Sequence, residues 1–289
     1  MNEQASSHLV AKAEQLVALV HSYGSAAVAF SGGIDSTVVA KAAQLALGDR
    51  AVAVTGTSAS LAQGELEEAR RLAQWIGIRH EVLETDEFAN PQYLQNAPDR
   101  CYHCKTELYT QIEAQSARWQ VAVVLNGANL DDLGDYRPGL KAAGEHRVAS
   151  PLAECGFGKA DVRALAAMWE LPTWDKPATP CLSSRVAYGE EVTPERLVMI
   201  DRAEQYLRAA GLRTVRVRYH RGNLARLEVG LDALARLCSP EVRTELVAHF
   251  RSLGFQYVTL DLEGFRSGSL NALVSIQAAP RLGDATKPG

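Results

Sequence analysis

An unbroken apolar run, Ala26-Ala27-Val28-Ala29-Phe30, that turns at Ser31-Gly32-Gly33 into a helical stretch from Asp35 to Leu47 constrains this chain most. A strand with no polar position has no face to offer water, so it belongs inside a sheet covered on both sides. The pattern recurs. Ala51-Val52-Ala53-Val54-Thr55 is a second such strand, Glu65 to Ile76 a second helix, and Arg79 to Leu83 and Val121 to Leu125 read as further strands. Leu9, Leu16, Val17 and Val20 fall at helical spacing ahead of them. Strands alternating with helices predict an α/β fold with a parallel sheet, whose chemistry sits at the carboxyl ends of the strands.

Two regions break this rhythm. Asp86 to Lys105, with Asn90-Pro91 and Pro98, reads as an excursion over the active edge, and Gly134 to Gly158 as loop-rich. A helix from Lys159 to Trp169 is followed by Pro172, Pro177 and Pro180, which mark a boundary between domains at 1–175 and 176–289. Beyond it come a helix (Pro194 to Ala210), strands (Arg213 to Tyr219, Ala225 to Val229), a helix (Leu231 to Phe250) and a strand (Tyr257 to Leu262). That order predicts a second, smaller α+β domain.

The turn after the first strand carries chemistry. Gly32 and Gly33 let backbone N–H groups approach an anion, Ser31, Ser36 and Thr37 add hydroxyls, and the helix start adds partial positive charge. A capped glycine turn without a ligand is the bland alternative. Asp35 stands in the same turn, and no Gly-Lys-Ser/Thr follows, so this is not a Walker loop. Thr55-Gly56-Thr57-Ser58 ends the second strand as a polar loop, and Asp131, Asp132 and Asp135 follow the fourth as candidates for Mg²⁺ or ribose, or as a solvated acidic turn.

Cys101-Tyr102-His103-Cys104 places two thiols within reach of one metal, and Cys181 follows in Pro180-Cys181-Leu182-Ser183-Ser184-Arg185. Zinc with His103 or Cys155 as a further ligand, a redox pair, and an iron–sulfur cluster on three cysteines all remain open. Cys155 and Cys238 read as small buried hydrophobes. An odd number of cysteines, five, argues against a secreted disulfide framework and for a cytoplasmic protein. The net charge of −4 supplies no basic field for a large nucleic acid, and no apolar run reaches the length of a membrane span. In the second domain Arg216 and Arg218 share one strand face, suited to an anion or simply solvated, and Glu195, Glu204, Glu228 and Asp232 are unselected metal candidates.

The turn resembles the PP-loop, Ser-Gly-Gly-x-Asp-Ser, of the ATP pyrophosphatases (adenine nucleotide alpha hydrolase-like), which cleave ATP between the α- and β-phosphates. Four ordered stretches, this loop, Asn126 to Gly139, Pro180 to Arg185 and Asp261 to Asn271, are together similar to the LarE family of sulfur transferases. The resemblance implies ATP and Mg²⁺ as cofactors, and Ser31, Gly32, Gly33, Asp35, Ser36, Thr37 and Thr57 as nucleotide-binding residues. It implies a pyridinium-3,5-dicarboxylic acid mononucleotide as substrate, bound by Arg216, Arg218 and Arg266. It further implies adenylation of the carboxylates and their conversion to thiocarboxylates for a nickel-pincer cofactor. One branch of the family has a single cysteine matching Cys181, which gives up its own sulfur. With Cys101 and Cys104 present, this sequence is similar to the three-cysteine branch, in which Cys101, Cys104 and Cys181 would hold a 4Fe–4S cluster charged by a sulfide donor. Asp35, Cys181 and Arg185 are then the catalytic candidates, Arg185 holding an anion or pairing with an acidic neighbour. A homo-oligomer is expected. Two other readings are a tRNA thiolation enzyme, disfavoured by the acidic balance, and a nucleotide-binding sensor, which has no use for three thiols.

Overall fold

A computed structural model describes residues 3–133, 138–177 and 179–266. The chain divides into two compact units, Met1–Tyr93 with Asp99–Cys181, and Leu94–Pro98 with Leu182–Gly289. The chain thus leaves the first unit at Cys181, a few residues beyond the expected boundary, and also lends the second unit a five-residue strap.

The first unit begins with α1 (Glu3–Ser22), β1 (Ala26–Ala29), α2 (Ile34–Leu47), β2 (Ala51–Thr57), α3 (Glu65–Ile76) and β3 (Arg79–Glu84). After the one-turn α4 (Pro91–Leu94) come α5 (Arg100–Trp119), β4 (Val123–Leu125), α6 (Leu130–Leu133), α7 (Pro138–Glu145), α8 (Pro151–Glu154) and α9 (Lys159–Met168). The sheet is parallel, in the order β3-β2-β1-β4. Alternate side chains of β1 serve opposite faces. Ala26, Val28 and Phe30 pack with α1, α2, α3 and α9, whereas Ala27 and Ala29 pack with Tyr109 and Ile112 of α5 and Ala142 and Ala143 of α7. Covering both faces is why β1 and β2 read as continuous apolar runs, whereas the edge strand β3 is partly exposed. Helix α3 buries Ala69, Leu72, Ala73 and Ile76, one stripe at helical spacing. It stops at Gly77, whose φ of 78° is open to glycine and whose N–H bonds back to Ala73 and Gln74.

The sequence order reverses at β1: β2 and β3 build outward on one side, then β4 returns to the other. Such a switch opens a crevice at the carboxyl ends of the strands on either side of it, β1 and β4. The glycine turn leaves β1 there, and Gly127 leaves β4 beside it.

The second unit contains α10 (Pro194–Ala209), β5 (Val215–His220), β6 (Leu224–Val229), α11 (Leu234–Cys238), α12 (Pro240–Ser252) and β7 (Tyr257–Leu260). β5 and β6 form an antiparallel hairpin, and β7 adds in parallel to β6. The expected single helix from Leu231 to Phe250 is broken at Ser239, because Pro240 opens α12 and cannot continue α11. Among the described residues no helix is long and apolar enough to cross a membrane.

Candidate active site

The turn after β1 is held by its own hydroxyls. Ser36 donates to the Gly33 carbonyl (3.0 Å) and accepts from the Ser31 N–H (3.3 Å), while Ser31 Oγ, 3.1 Å from Ser36 Oγ, accepts from the Gly33 N–H. Thr37 donates its hydroxyl to the same carbonyl at 2.8 Å. Gly32 has φ 68°, a conformation that disfavours a side chain. No side chain caps α2 at Gly33, which leaves the helix start open to an anion. Thr57, at the end of β2, accepts the Thr85 N–H through its carbonyl at 3.0 Å.

Asp35 accepts a hydrogen bond from Asn129 Nδ2 at 2.9 Å. Burial pushes its carboxyl upward, and Asp132 adds to that against the lowering effect of Asn129. Asp132 is itself buried and accepts from the Asn129 N–H. A dication beside them would relieve the buried Asp35 carboxyl, which makes Asp35 and Asp132 the Mg²⁺ candidates, with Lys159 3.9 Å from Asp132. Asp131 instead accepts the Lys159 N–H at the start of α9 (2.6 Å). Asp135 lies outside the described residues, as does the segment Ser267 to Asn271.

Cys101 and Cys104 sit on the first two turns of α5, where the sequence reading has an irregular excursion. Cys101 and Cys181 are exposed. Burial raises the Cys104 thiol to about 12, with further contributions from Cys181, Glu87 and Cys101. Lys105 shares this neighbourhood: burial alone would lower it, but Tyr109 and the three thiols hold it up. Three thiols beside one cation suit an iron–sulfur group as a donor set. They are neighbours rather than a preformed ligand shell, for among the described residues no three His, Cys, Asp or Glu side chains are arranged to hold a metal ion. His103 pairs with Asp99 at 3.5 Å and Cys155 lies in the main core, so neither joins the thiols. Cys238, expected to be buried, is exposed.

In the second unit the arginine strand is buried on both faces, which removes the solvated-face alternative. Arg218 donates to Glu228 (2.9 Å) and to the Ser184 carbonyl (3.0 Å). Arg216 donates to the Val215 carbonyl and lies 5.2 Å over the Phe265 ring. Burial, then Arg185, lowers its guanidinium to about 10. Arg185 is fully buried and forks onto Glu204 (3.0 and 3.3 Å), the acidic-neighbour alternative of the sequence reading. Glu204 and Glu228, considered above for metal, are thus arginine partners. Five arginines (Arg185, Arg208, Arg216, Arg218, Arg226) are gathered around these carboxylates and Asp261. Arg266 is half-exposed and pairs with Glu263.

Two contributors had no sequence signal. Glu87 is buried and accepts from Ser58 (2.6 Å) and Ser60 (3.0 Å), fixing the loop after β2. Lys176 reaches the glycine turn, donating to the Gly32 carbonyl at 3.4 Å.

Residues 13–129 match the asparagine synthase family. Fold, loop and match together define a PP-loop protein, an ATP-dependent enzyme of the adenylating kind. An uncharacterized protein of Synechocystis sp. is 48% identical over 267 residues, spanning 92% of this chain and 99% of its own. The pyridinium-3,5-bisthiocarboxylic acid mononucleotide synthase of Lactiplantibacillus plantarum is 40% identical over 265 residues, 91% of this chain and 95% of its own. The chain belongs to the family of these relatives. A tRNA-specific 2-thiouridylase of Paracoccus denitrificans is 30% identical over 191 residues, about half of either chain (52% and 48%). The chain is therefore a PP-loop enzyme related to sulfur-transfer enzymes.

Proposed function

We propose that this chain is an ATP-dependent sulfur transferase acting on pyridinium-3,5-dicarboxylic acid mononucleotide, forming AMP and pyrophosphate. The observation that supports this most is one unit carrying both a phosphate loop without a Walker lysine and three neighbouring thiols. A carboxylate is a poor acyl donor, so it first attacks the α-phosphorus of ATP and pyrophosphate leaves. The α2 N-terminus, Ser31 and Ser36 would hold the departing phosphates, and Asp35 with Asp132 would hold Mg²⁺ against them. Arg216 and Arg218, in a cluster of five arginines, would bind the phosphate of the substrate. A sulfur anion at the cysteine site then adds to the acyl carbon, the bond to AMP breaks, and a thiocarboxylate remains. Cys101, Cys104 and Cys181 would hold the 4Fe–4S cluster of the three-cysteine branch, which when bound supplies an iron open to sulfide.

Anaerobic purification with iron and sulfide analysis, followed by turnover with ATP, Mg²⁺, sulfide and the dicarboxylate, tests this reading. Pyrophosphate and AMP should appear, and alanine at each of Cys101, Cys104 and Cys181 should lose iron and sulfur transfer together. ADP and orthophosphate as the main products would remove the adenylation step. Loss of hydrogen sulfide from Cys181, with activity surviving in the Cys101 and Cys104 variants, would replace the cluster with a sacrificial thiol.

A further inference from the structure

The ammonium of Lys176 touches the glycine turn but is not held by it alone. It lies 3.0 Å from Glu68 Oε1 and 3.6 Å from Glu65 Oε2, as well as 3.4 Å from the Gly32 carbonyl oxygen. The lysine side chain is 16% exposed, while Glu65 (22%) and Glu68 (34%) stay partly open to water. Glu65 and Glu68 stand in the first turn of α3, where acidic residues favour the helix dipole. The dipole accounts for two glutamates there, but not for a lysine drawn between them and the phosphate loop. One ammonium against two carboxylates leaves a negative surplus at the rim of a site for a polyanion. A lysine in this place stands within reach of an anion on the loop, with its charge already engaged by the two glutamates.

We propose that Glu65 and Glu68 are built-in competitors of the nucleotide: they hold the Lys176 ammonium, and the polyphosphate of ATP takes it over on binding. The inference rests on the nucleotide reading and is independent of the sulfur chemistry. The Gly32 carbonyl keeps the ammonium beside the loop, so the exchange needs only rotation of the lysine side chain. The glutamates thereby set how much ATP the enzyme needs before it loads.

Calorimetric titration of the full chain with ATP and with adenosine, Mg²⁺ present, tests this. Lys176→Met should weaken ATP about tenfold or more and leave adenosine unchanged, with Lys176→Arg close to the wild type. Glu65→Gln with Glu68→Gln should tighten ATP several-fold, and the gain should vanish when Lys176→Met is added, because freeing an absent lysine does nothing. Three results would overturn the exchange: an unchanged ratio of ATP to adenosine affinity in Lys176→Met, a glutamine pair that weakens ATP, or the same tightening with and without Lys176. The last would mean plain repulsion between carboxylates and phosphate. A wild-type chain that binds no ATP would remove the nucleotide reading and this inference with it, whereas ATP binding with any of the three removes the inference alone.

Discussion

Gly127 packs closely against the first turn of α2, and Gly127→Ala should damage ATP binding without unfolding the chain. A methyl there would lie 2.8 Å from the Ser36 amide nitrogen, 3.0 Å from the Asp35 carbonyl carbon and 3.1 Å from Asp35 Cβ. These atoms belong to the first turn of α2, not to the tip of a flexible side chain, so relief must come from the loop itself. Ordinary contact begins at 3.4 Å, which calls for a shift of about 0.6 Å. Overpacking of this kind costs about 1–3 kcal/mol, a fall in Tm of roughly 2–10 °C for a unit of this size. An N–H displaced that far no longer makes a good hydrogen bond to phosphate, and losing one such charge-assisted bond weakens binding at least about tenfold. Titration calorimetry and a thermal melt read the two effects. Gly144→Ala is the matched control, because a methyl at Gly144 in α7 meets nothing within 4 Å. ATP affinity within about twofold of wild type in Gly127→Ala would refute the bracing of the phosphate loop by the chain leaving β4.

Glu204→Ala should strand the buried Arg185 guanidinium and cost the second unit about 3–5 kcal/mol in urea denaturation, and a loss under about 1 kcal/mol would show that Arg185 finds another acceptor. Arg216→Met and Arg218→Met should each weaken the pyridinium substrate by about tenfold to a hundredfold and leave ATP unaffected; unchanged substrate affinity in both would make the arginines purely structural. Cys104 should resist alkylation at pH 8 while exposed Cys101 and Cys181 react, because a thiol raised from 9.0 to about 12 is almost wholly protonated there. With the folded pKa above the unfolded one, the stability this thiol contributes below pH 9 should fade as pH climbs toward 12. Equal alkylation rates at the three sites would contradict the raised Cys104 thiol.

The parallel sheet and the loop after β1 are legible in the sequence because burial on both faces leaves unbroken apolar runs, and α3 because its apolar stripe and Gly77 mark face and end. The start of α5 is not legible. Arg100 to Lys105 holds no apolar repeat, and its buried Tyr109, Ile112 and Trp119 come later, so the prolines at 91 and 98 dominate the local pattern. Arg216 and Arg218 alternate with Val215 and Val217 as an exposed strand face would. Their burial depends on Glu204 and Glu228, carried by α10 and β6, and no local pattern signals partners that distant. Lys176 is harder still: it lies 144 residues from Gly32, and only the folded sheet brings them together.

The strap Leu94–Pro98 bears on how this protein can be made. Asn96, fully buried with φ 53°, donates to the carbonyls of Val186 (3.2 Å) and Ala187 (2.8 Å), and Leu94 accepts the Val192 N–H at 2.9 Å. During synthesis the strap leaves the ribosome some ninety residues before its partners do. The first unit must therefore close around a gap in its own chain and wait. A fragment starting at Leu182 would lack those contacts, taking the Asn96 donor from the Val186 carbonyl and leaving Ala187 only the Glu190 N–H, and should fold poorly unless the five-residue peptide is added back.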